Sequence, residues 1–383
     1  MEKVIFVADI FAPFSAKSST QLVIYSLLFA IKQKHPDMLF VGLYREEQER
    51  FLIESFLSNE SIDFVLIKSK IDMEKVNKFS TIFALYKAVS QNHKREFKLK
   101  TLNYFNGNVK IIVSVPSLES FAVANYLRKK MHSNEMKTVW TDVIALNSLN
   151  DFKNIPFGRK MLKPIEKRIL KKSRLSFFLG EQQFKVMSSF YKKLSKKMDY
   201  YYPSNYPYFS YLNKDFKNIT KNDNALYFGD LNPLVRDVYP LYLSSKYTDT
   251  HIKIVGKGRI SVENFEITYT EYVPLDRRIS VLSEALKIEK SSYISVCVLN
   301  KCGFSLPGKM FYYANIERPI LVIKDGPFAD EIESQLKPFN RFFFCDNTPT
   351  DIAAALDLIR KEENIDLNYC AFDPIRVYAN IIK

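Results

Sequence analysis

Hydrophobic and polar positions along this chain predict strands and helices in regular alternation. In the first half, short apolar runs predict strands at residues 4–8, 39–44, 64–67, 110–115, 138–142 and 175–179. Between these runs, apolar residues recur at helical spacing at residues 18–34, 117–131 and 181–194. Such alternation is typical of a parallel sheet that is covered by helices on both faces.

The pattern pauses at residues 199–224, which are rich in Tyr, Asn, Lys and Pro, and then resumes. Further strands are predicted at residues 225–228, 252–255, 294–298, 320–323 and 342–344. We therefore predict an α/β protein with two Rossmann-like, doubly wound domains, residues 1–204 and 205–383, that face each other across a cleft. The last helix, at about residues 372–383, belongs either to the second domain or packs back on the first.

One loop and helix in the second half suit a diphosphate. Ser305, Pro307, Gly308 and Lys309 lead into a predicted helix that ends before Pro319. Backbone N–H groups at a helix start, together with a neighbouring ammonium, attract phosphate. This loop is the first candidate for a ligand site.

Two glycines follow predicted strands in the same half. Gly229 ends the strand at residues 225–228, and Gly256 ends the strand at residues 252–255. A glycine there lets a ligand approach the backbone closely, although ordinary strand-exit turns remain an alternative. The Gly-x-Gly-x-x-Gly pattern of dinucleotide-binding proteins does not follow the first strand, so we do not expect dinucleotide binding.

These stretches, in this order, resemble the nucleotide-sugar loops of glycosyltransferase family 4. The family has a Pro-Ser-Lys-Leu-Phe-Glu-Tyr type run before a Pro-led strand, and glycines after two earlier strands. The resemblance covers nearly the whole chain, with specific motifs only in residues 226–323. It implies the GT-B fold and a donor site in the second domain. The implied donor-binding residues are Gly229, Gly256, Lys257, Tyr272, Val273, Ser305, Pro307, Gly308 and Tyr312.

The chain departs from the family at three positions. Tyr312 stands where the family has a glutamate for the ribose hydroxyls, and Phe304 stands where the first acid of a glutamate pair is usual. Asp230 replaces the arginine expected after Gly229, so the resemblance assigns the diphosphate to Lys309 with Arg236 or Lys257. These changes leave the donor open, and they leave loss of catalysis as an alternative.

The resemblance places the acceptor in the first domain. Ser15, Ser18 and Ser19 lie in the loop where the family often has paired glycines, and one of them also suits a helix N-cap. Trp140 and Asp142 end a predicted strand. Asp142 is a candidate general base for the acceptor hydroxyl, and a capping or ion-paired aspartate is the alternative.

The sequence offers no metal or cofactor motif. There is no Asp-x-Asp, and the four histidines form no catalytic set with serine and aspartate. We therefore expect neither metal nor cofactor, with Lys309, Arg236 and the helix start neutralising the leaving diphosphate.

The net charge of +14 is concentrated in one segment. Residues 159–197 contain thirteen Lys and Arg and two acids. Either an anionic membrane surface or plain solvent suits such a segment. A recognisable nucleic-acid-binding motif is missing, so nucleic acid is not an expected partner.

Together with these features, the family resemblance implies a metal-independent, retaining hexosyltransferase. It would move a sugar from a nucleoside diphosphate to a glycan acceptor, expected to be lipid-linked, in capsule, O-antigen or exopolysaccharide synthesis. The first strand begins almost at residue 1 without a signal-peptide pattern, so we expect a cytoplasmic protein, including a peripheral position on the inner face of the cell membrane. A catalytically inactive scaffold and a sugar-nucleotide epimerase remain as alternatives.

Overall fold

The structure is a computed structural model that describes most of the chain. It covers residues 3–10, 19–69, 109–115, 117–133, 135–145, 158–204, 224–257, 270–274, 292–301, 304–314, 316–362 and 365–383. The chain divides into two compact units. Among the described residues, the first unit holds the strand near the N-terminus, Thr20–Tyr202 and Pro374–Lys383, and the second holds Ser19 and Pro203–Asp373.

Seven parallel strands form the sheet of the first unit. They are β1 (Lys3–Asp9), β2 (Leu39–Tyr44), β3 (Asp63–Lys68), β4 (Val109–Val115), β5 (Met136–Trp140), β6 (Leu175–Leu179) and β7 (Met198–Tyr201). Their order is β3-β2-β1-β4-β5-β6-β7. Every residue of β2, β4 and β5 is buried, as expected for a parallel sheet covered on both faces. The strand order reverses between β1 and β4, which is where ligands bind in such sheets.

The second unit contains a parallel sheet of six strands. They are β8 (Asn224–Asp230), β9 (His251–Lys257), β10 (Thr270–Pro274), β11 (Ile294–Val298), β12 (Ile320–Lys324) and β13 (Phe343–Asp346). Their order is β10-β9-β8-β11-β12-β13, so the order reverses between β8 and β11. Apolar residues of β8, β9, β11 and β12 pack with the helix at residues 349–361 in one core.

The described helices cover the sheets. In the first unit they are α1 (Ser19–Lys34), α2 (Glu47–Asn59), α3 (Leu118–Lys130), α4 (Gly158–Lys172) and α5 (Glu181–Phe190), followed by a 3₁₀-helix at Lys192–Lys197. In the second unit they are α6 (Tyr239–Ser244), α7 (Gly308–Ala314), α8 (Ala329–Leu336) with a 3₁₀ turn at Lys337–Phe339, and α9 (Pro349–Lys361). The chain ends with α10 (Pro374–Val377) and α11 (Ala379–Ile382).

The last two helices pack on the amino ends of β4 and β5. The Nζ of Lys137 donates to the carbonyl oxygens of Asn380 at 3.1 Å and Ile381 at 3.0 Å. Lys110 Nζ donates to the carbonyl oxygen of Lys383 at 2.5 Å. Both lysines are buried, so their ammonium groups satisfy carbonyls that a helix end leaves open.

Three predicted elements were wrong in detail. The pause predicted from residue 199 overlaps β7, which pairs with β6 because its tyrosines suit a half-buried strand. By resemblance to glycosyltransferase family 4, residues 269–276 were expected to form a loop beside the nucleotide base. Instead, residues 270–274 form β10 beside β9, and Pro274 is tolerated as its last residue at the sheet edge. Pro164 suits the first turn of a helix and was expected to start one. Helix α4 begins earlier, at Gly158, since its apolar face already includes the buried Leu162.

Candidate functional site

The carboxyl edge of the second sheet brings together two loops at its reversal point. One loop follows β8 and carries Arg236, and the other follows β11 and leads into α7. Arg236 Nε donates to Asn300 Oδ1 at 3.0 Å, and Asn300 Nδ2 donates to the carbonyl oxygen of Ser305 at 2.5 Å. The backbone N–H of Lys301 also donates to the carbonyl oxygen of Val235, at 2.7 Å. These bonds fix a guanidinium beside the loop that opens α7.

Lys309 lies in the first turn of α7, and its ammonium is held near β8. Its Nζ lies 3.6 Å from the ring centroid of Phe228, the residue before Gly229. A cation over an aromatic face is stabilised by the ring quadrupole. The two predicted cations therefore lie at the same edge of the sheet. Arg236 is hydrogen-bonded to the loop after β11, and the ammonium of Lys309 lies over Phe228 near the end of β8.

Two aspartates, Asp237 in the loop of Arg236 and Asp325 after β12, lie at the same edge of the sheet. Asp325, directly after β12, accepts the backbone N–H of Asp237 at 3.0 Å. Burial raises the pKa of Asp325, while backbone N–H groups and the nearby Lys301 oppose the rise. The Oδ2 of Asp237 lies 3.6 Å from Lys301 Nζ. The hydrogen bond between Asp237 and Asp325 thus helps to hold the loop of Arg236 in place.

Gly326 turns the chain after β12 in a conformation that only glycine adopts readily. Its φ is +81°, and a Cβ would lie 2.6 Å from the carbonyl oxygen of Asn300. The turn therefore lets the β12 exit approach the β11 exit closely.

The two predicted glycines differ in their surroundings. A Cβ on Gly256 would lie 2.2 Å from the carbonyl oxygen of Gly229 and 2.5 Å from Leu231 Cγ. The atoms nearest to a Cβ on Gly229 would belong to the side chain of Tyr227, with its hydroxyl at 3.1 Å. At Gly256, the neighbouring backbone and Leu231 leave no room for a side chain. At Gly229, a side chain would come close only to the flexible ring of Tyr227 among its three nearest atoms.

Some predicted donor residues lie in a strand, and the side chains of others lie outside the described residues. Tyr272 and Val273 lie in β10, opposite Ile254 and Val255 of β9, instead of in a loop. The side chains of Lys257 and Tyr312 lie outside the described residues, and the same holds for Asp230. Pro307 precedes α7, and its carbonyl oxygen accepts the N–H of Met310 at 3.1 Å.

Phe304, which replaces a family glutamate, makes an edge-to-face contact with Phe328 at 6.4 Å between ring centroids. The position therefore contributes apolar packing beside the loop that leads to α7.

A buried arginine that the sequence did not reveal fastens the far end of α7. Arg341 is 0% exposed; its Nε donates to the carbonyl oxygen of Ala314 at 2.6 Å. Its Nη2 donates to the carbonyl oxygens of Tyr313, Ile316 and Arg318 at 3.1, 2.6 and 3.1 Å. Burial lowers the pKa of Arg341 to about 9, so the guanidinium still carries its charge at neutral pH. It supplies hydrogen bonds to carbonyls that the helix end leaves open.

In the first unit, the predicted acceptor residues differ in their surroundings. Trp140 is fully buried, its Nε1 donates to Thr138 Oγ1 at 3.0 Å, and its ring stacks on Phe178. This is the environment of a core residue. Asp142 follows β5, and its Oδ1 accepts the backbone N–H of Val143 at 2.8 Å. Ser19 begins α1 with an undescribed side chain, whereas Ser15 and Ser18 lie outside the described residues.

A buried carboxylate fixes the chain just after Asp142. Glu166 of α4 is 0% exposed and accepts the N–H groups of Ile144 at 2.8 Å and Ala145 at 3.2 Å. Its other oxygen accepts the hydroxyl of Tyr191 at 2.6 Å. Burial raises the pKa of Glu166, and these three hydrogen bonds partly offset the rise. Glu166 is therefore a positioning residue for the segment that carries Asp142.

The sequence patterns did not single out the ion pair of Asp9 and Arg45, which lies at the reversal point of the first sheet. Asp9 ends β1, and its Oδ2 accepts from Arg45 Nη2 at 3.0 Å. Burial raises the pKa of Asp9, Arg45 lowers it, and the nearby Glu119 and Glu49 raise it. The apolar run of β1 was the only sequence signal near Asp9, and it gave no hint of Arg45 as its partner.

Two further features are absent from the described ranges. No group of three or more His, Cys, Asp or Glu residues there could hold a metal ion. None of the described helices is long and apolar enough to cross a membrane.

Comparison with known proteins gives matches of fold only. No protein-family model matches the chain, and no curated protein matches it in sequence. A co-structure of S. aureus MnaA with UDP is 12% identical with a TM-score of 0.53, and the match covers 100% of this chain and 95% of that one. The chain has a GT-B-like fold.

Two other solved structures match at a similar level. A putative UDP-N-acetylglucosamine 2-epimerase from Listeria monocytogenes is 11% identical with a TM-score of 0.51, covering 99% of this chain and 95% of that one. An E. coli trehalose-6-phosphate protein bound with UDP-2-fluoro glucose is 13% identical with a TM-score of 0.50, covering 99% and 96%. The prediction of two Rossmann-like, doubly wound halves of the GT-B class is confirmed.

Proposed function

We propose that this protein is a glycosyltransferase that uses a nucleoside diphosphate sugar. The observation that supports this most is the chain of hydrogen bonds from Arg236 through Asn300 to Ser305, at the reversal point of the second sheet. It holds one cation beside the loop that leads to Lys309. Two cations at the edge where such sheets bind ligands suit the two phosphates of a sugar nucleotide.

In the proposed reaction, the diphosphate leaves the anomeric carbon of a hexose-type sugar. Lys309 and Arg236 stabilise the charge that develops on the leaving oxygen, without a metal ion. Backbone near Gly229 and Gly308 approaches the phosphates, with Tyr312 in place of the usual glutamate at the ribose. We propose retention at the anomeric carbon, as the family resemblance implies.

The acceptor in this proposal is a hydroxyl of a glycan, carried on a lipid, for a bacterial surface polysaccharide. Asp142 is the proposed base, and the contact of Glu166 with Ile144 and Ala145 supports its placement. We place the enzyme in the cytoplasm, at the inner face of the cell membrane, because a lipid-linked acceptor lies there. Nucleic acid has no part in the proposal.

Titration with a panel of UDP- and GDP-sugars tests the proposal, with heat release reporting binding and chromatography reporting products. A glycosyltransferase binds one donor and releases the nucleoside diphosphate when an acceptor is present. An epimerase converts the sugar and keeps it attached to the nucleotide. Binding of no donor, or binding with no product under any acceptor, would favour the inactive scaffold and contradict the proposal.

A further inference from the structure

A surface of the first unit combines two neighbouring basic segments. One is the outer side of α4 with Lys163, Lys167 and Lys171, which are spaced four residues apart and therefore lie on one side of the helix. The other is the 3₁₀-helix Lys192–Lys197, in which no residue is buried. We call the exposed lysines of these two segments the basic face. Its members are Lys163, Lys167, Lys171, Lys192, Lys193, Lys196 and Lys197.

The two segments are fastened to each other at both ends. At one end, Lys163 Nζ lies 4.3 Å from the ring centroid of Phe190, and the hydroxyl of Tyr191 donates to Glu166 below. At the other end, Lys197 Nζ lies 3.5 Å from the carbonyl oxygen of Lys171 and 3.4 Å from that of Ser173. The basic face is therefore one continuous, structured surface.

The charges of the basic face are not neutralised by acids. Among the described residues, no carboxylate oxygen lies within 4.0 Å of any of its seven ammonium groups. Other cations of the same unit do have such partners: Arg50 pairs with Glu54 at 2.7 Å, Lys68 with Glu47 at 3.0 Å, and Lys185 with Glu181 at 2.7 Å. These three cations are thus paired with acids, whereas the basic face keeps its positive charge.

Neighbouring basic residues extend the same potential. Lys172 follows the basic face at the end of α4, and its pKa is lowered to about 8 by burial and by Arg168, Lys129 and Arg128. The two arginines and Lys129 come from the last turns of α3 and α4 or near them. Like charges four residues apart on a helix repel each other and destabilise it. A surface that keeps this repulsion gains most from an anionic partner.

We propose that the basic face docks on an anionic phospholipid bilayer. Its seven cations are all lysines, which act as mobile point charges and need no particular arrangement of phosphates. Phe190, which is 38% exposed, lies beside Lys163 and presents an apolar ring among them. Flexible ammonium groups around an exposed aromatic ring suit a headgroup layer above an acyl interior. The proposed lipid-linked acceptor needs such a surface, but vesicle binding itself does not depend on sugar transfer.

Co-sedimentation of the full chain with vesicles tests this partner. We expect binding to phosphatidylcholine vesicles that contain phosphatidylglycerol, loss of binding as salt rises, and no binding to phosphatidylcholine alone. The triple variant Lys163→Gln, Lys167→Gln, Lys171→Gln removes three charges from the basic face. If each contributes about 1 kcal/mol, the variant binds anionic vesicles roughly 100-fold more weakly.

A matched control separates the basic face from net charge. The variant Arg50→Gln, Lys68→Gln, Lys185→Gln also removes three positive charges, but from ion-paired positions of the same unit. We expect it to bind vesicles within about threefold of the original chain, since long-range charge effects are screened by salt. Circular dichroism and thermal unfolding check that both variants fold.

Three outcomes would overturn the proposal. The first is that the original chain does not bind anionic vesicles at low salt. The second is that both triple variants lose binding equally, which would make the effect one of net charge. The third is that the basic face binds duplex DNA or RNA more tightly than vesicles, with the same loss in the Lys163, Lys167 and Lys171 variant. Loss of donor binding in the sugar-nucleotide titration leaves each of these results unaffected, so the two proposals fail separately.

Discussion

The two units fix the chain near their candidate sites with buried charges of opposite sign. In the first unit, the carboxylate of Glu166 accepts N–H groups just after Asp142. In the second unit, the guanidinium of Arg341 donates to four carbonyl oxygens at the end of α7, the helix that begins with Gly308 and Lys309. Each buried charge meets only one kind of backbone group, so each fixes one chain segment in one position.

The difference lies in what each buried charge holds. Glu166 secures a short segment that follows a strand and carries an acid, Asp142. Arg341 secures a helix that begins with a cation, Lys309. An acid suits a hydroxyl that must lose a proton, and a cation suits a diphosphate that gains charge. Asp142 therefore lies in the unit that is proposed to bind the acceptor, and Lys309 lies in the unit that is proposed to bind the donor.

The largest expected effect is that of removing the buried guanidinium. Arg341→Ala leaves four carbonyl oxygens without their donor in a buried place, so we expect the free energy of unfolding to fall by roughly 3 kcal/mol or more. Denaturant unfolding measures this. Arg360→Ala is the control, since Arg360 only approaches Asp249 and Asp357 at 3.7 Å, and we expect a loss within about 1 kcal/mol. Equal losses in the two variants would contradict the role of Arg341.

The next effect concerns the proposed donor site. Lys309→Ala should reduce turnover of the nucleotide sugar by at least roughly tenfold, the scale of losing one preorganised charge contact. Thermal unfolding should change little, because the helix start remains. Steady-state release of nucleoside diphosphate measures the effect.

Lys324→Ala is the matched control for that prediction. Lys324 lies at the end of β12 on the same edge, but Asp330, Glu333 and Asp346 surround its ammonium at 3.0, 3.1 and 2.8 Å. Its charge is already neutralised, so turnover should stay within about twofold of the original. Unchanged kinetics in Lys309→Ala, or equal losses in both variants, would remove Lys309 from the site.

The fold was largely predictable from the sequence, because strands buried on both faces read as uninterrupted apolar runs. Strands β2, β4, β6 and β11 were found within one or two residues for this reason. Strand β10 was missed, since its five residues end in proline and read equally well as a turn.

The site was predictable only where a local pattern carried it. Lys309 and Arg236 were candidates because of their loop positions after strands and the family resemblance, and their role in donor binding stays a prediction. The roles of Asn300, Arg341 and Arg45 depend on residues far away in the chain, and no spacing encodes them. Trp140 was misleading because a residue at a strand end points either towards a ligand or into the helices that cover the sheet, and here it packs on Phe178.

The smallest expected effect tests Glu166 through pH. Burial raises its pKa in the folded protein, so folding favours the protonated form. A raised carboxyl pKa means that the stability is highest below the unfolded pKa, near 4.5, and falls as pH rises through the folded pKa. Glu166→Gln keeps an oxygen for the N–H groups of Ile144 and Ala145 but cannot ionise.

The difference in unfolding free energy between the original chain and Glu166→Gln should therefore change in favour of the variant as pH rises. The Tyr191 hydrogen bond opposes the effect of burial, so the change should be smaller than burial alone would give. Denaturant unfolding at several pH values, with Glu181→Gln as a partly exposed control paired to Lys185, measures this.

A difference that does not vary with pH would mean that Glu166 ionises in the folded chain as easily as in the unfolded one. The comparison with Arg341 would then fail, because burial would disfavour the charge of Arg341 but not the charge of Glu166.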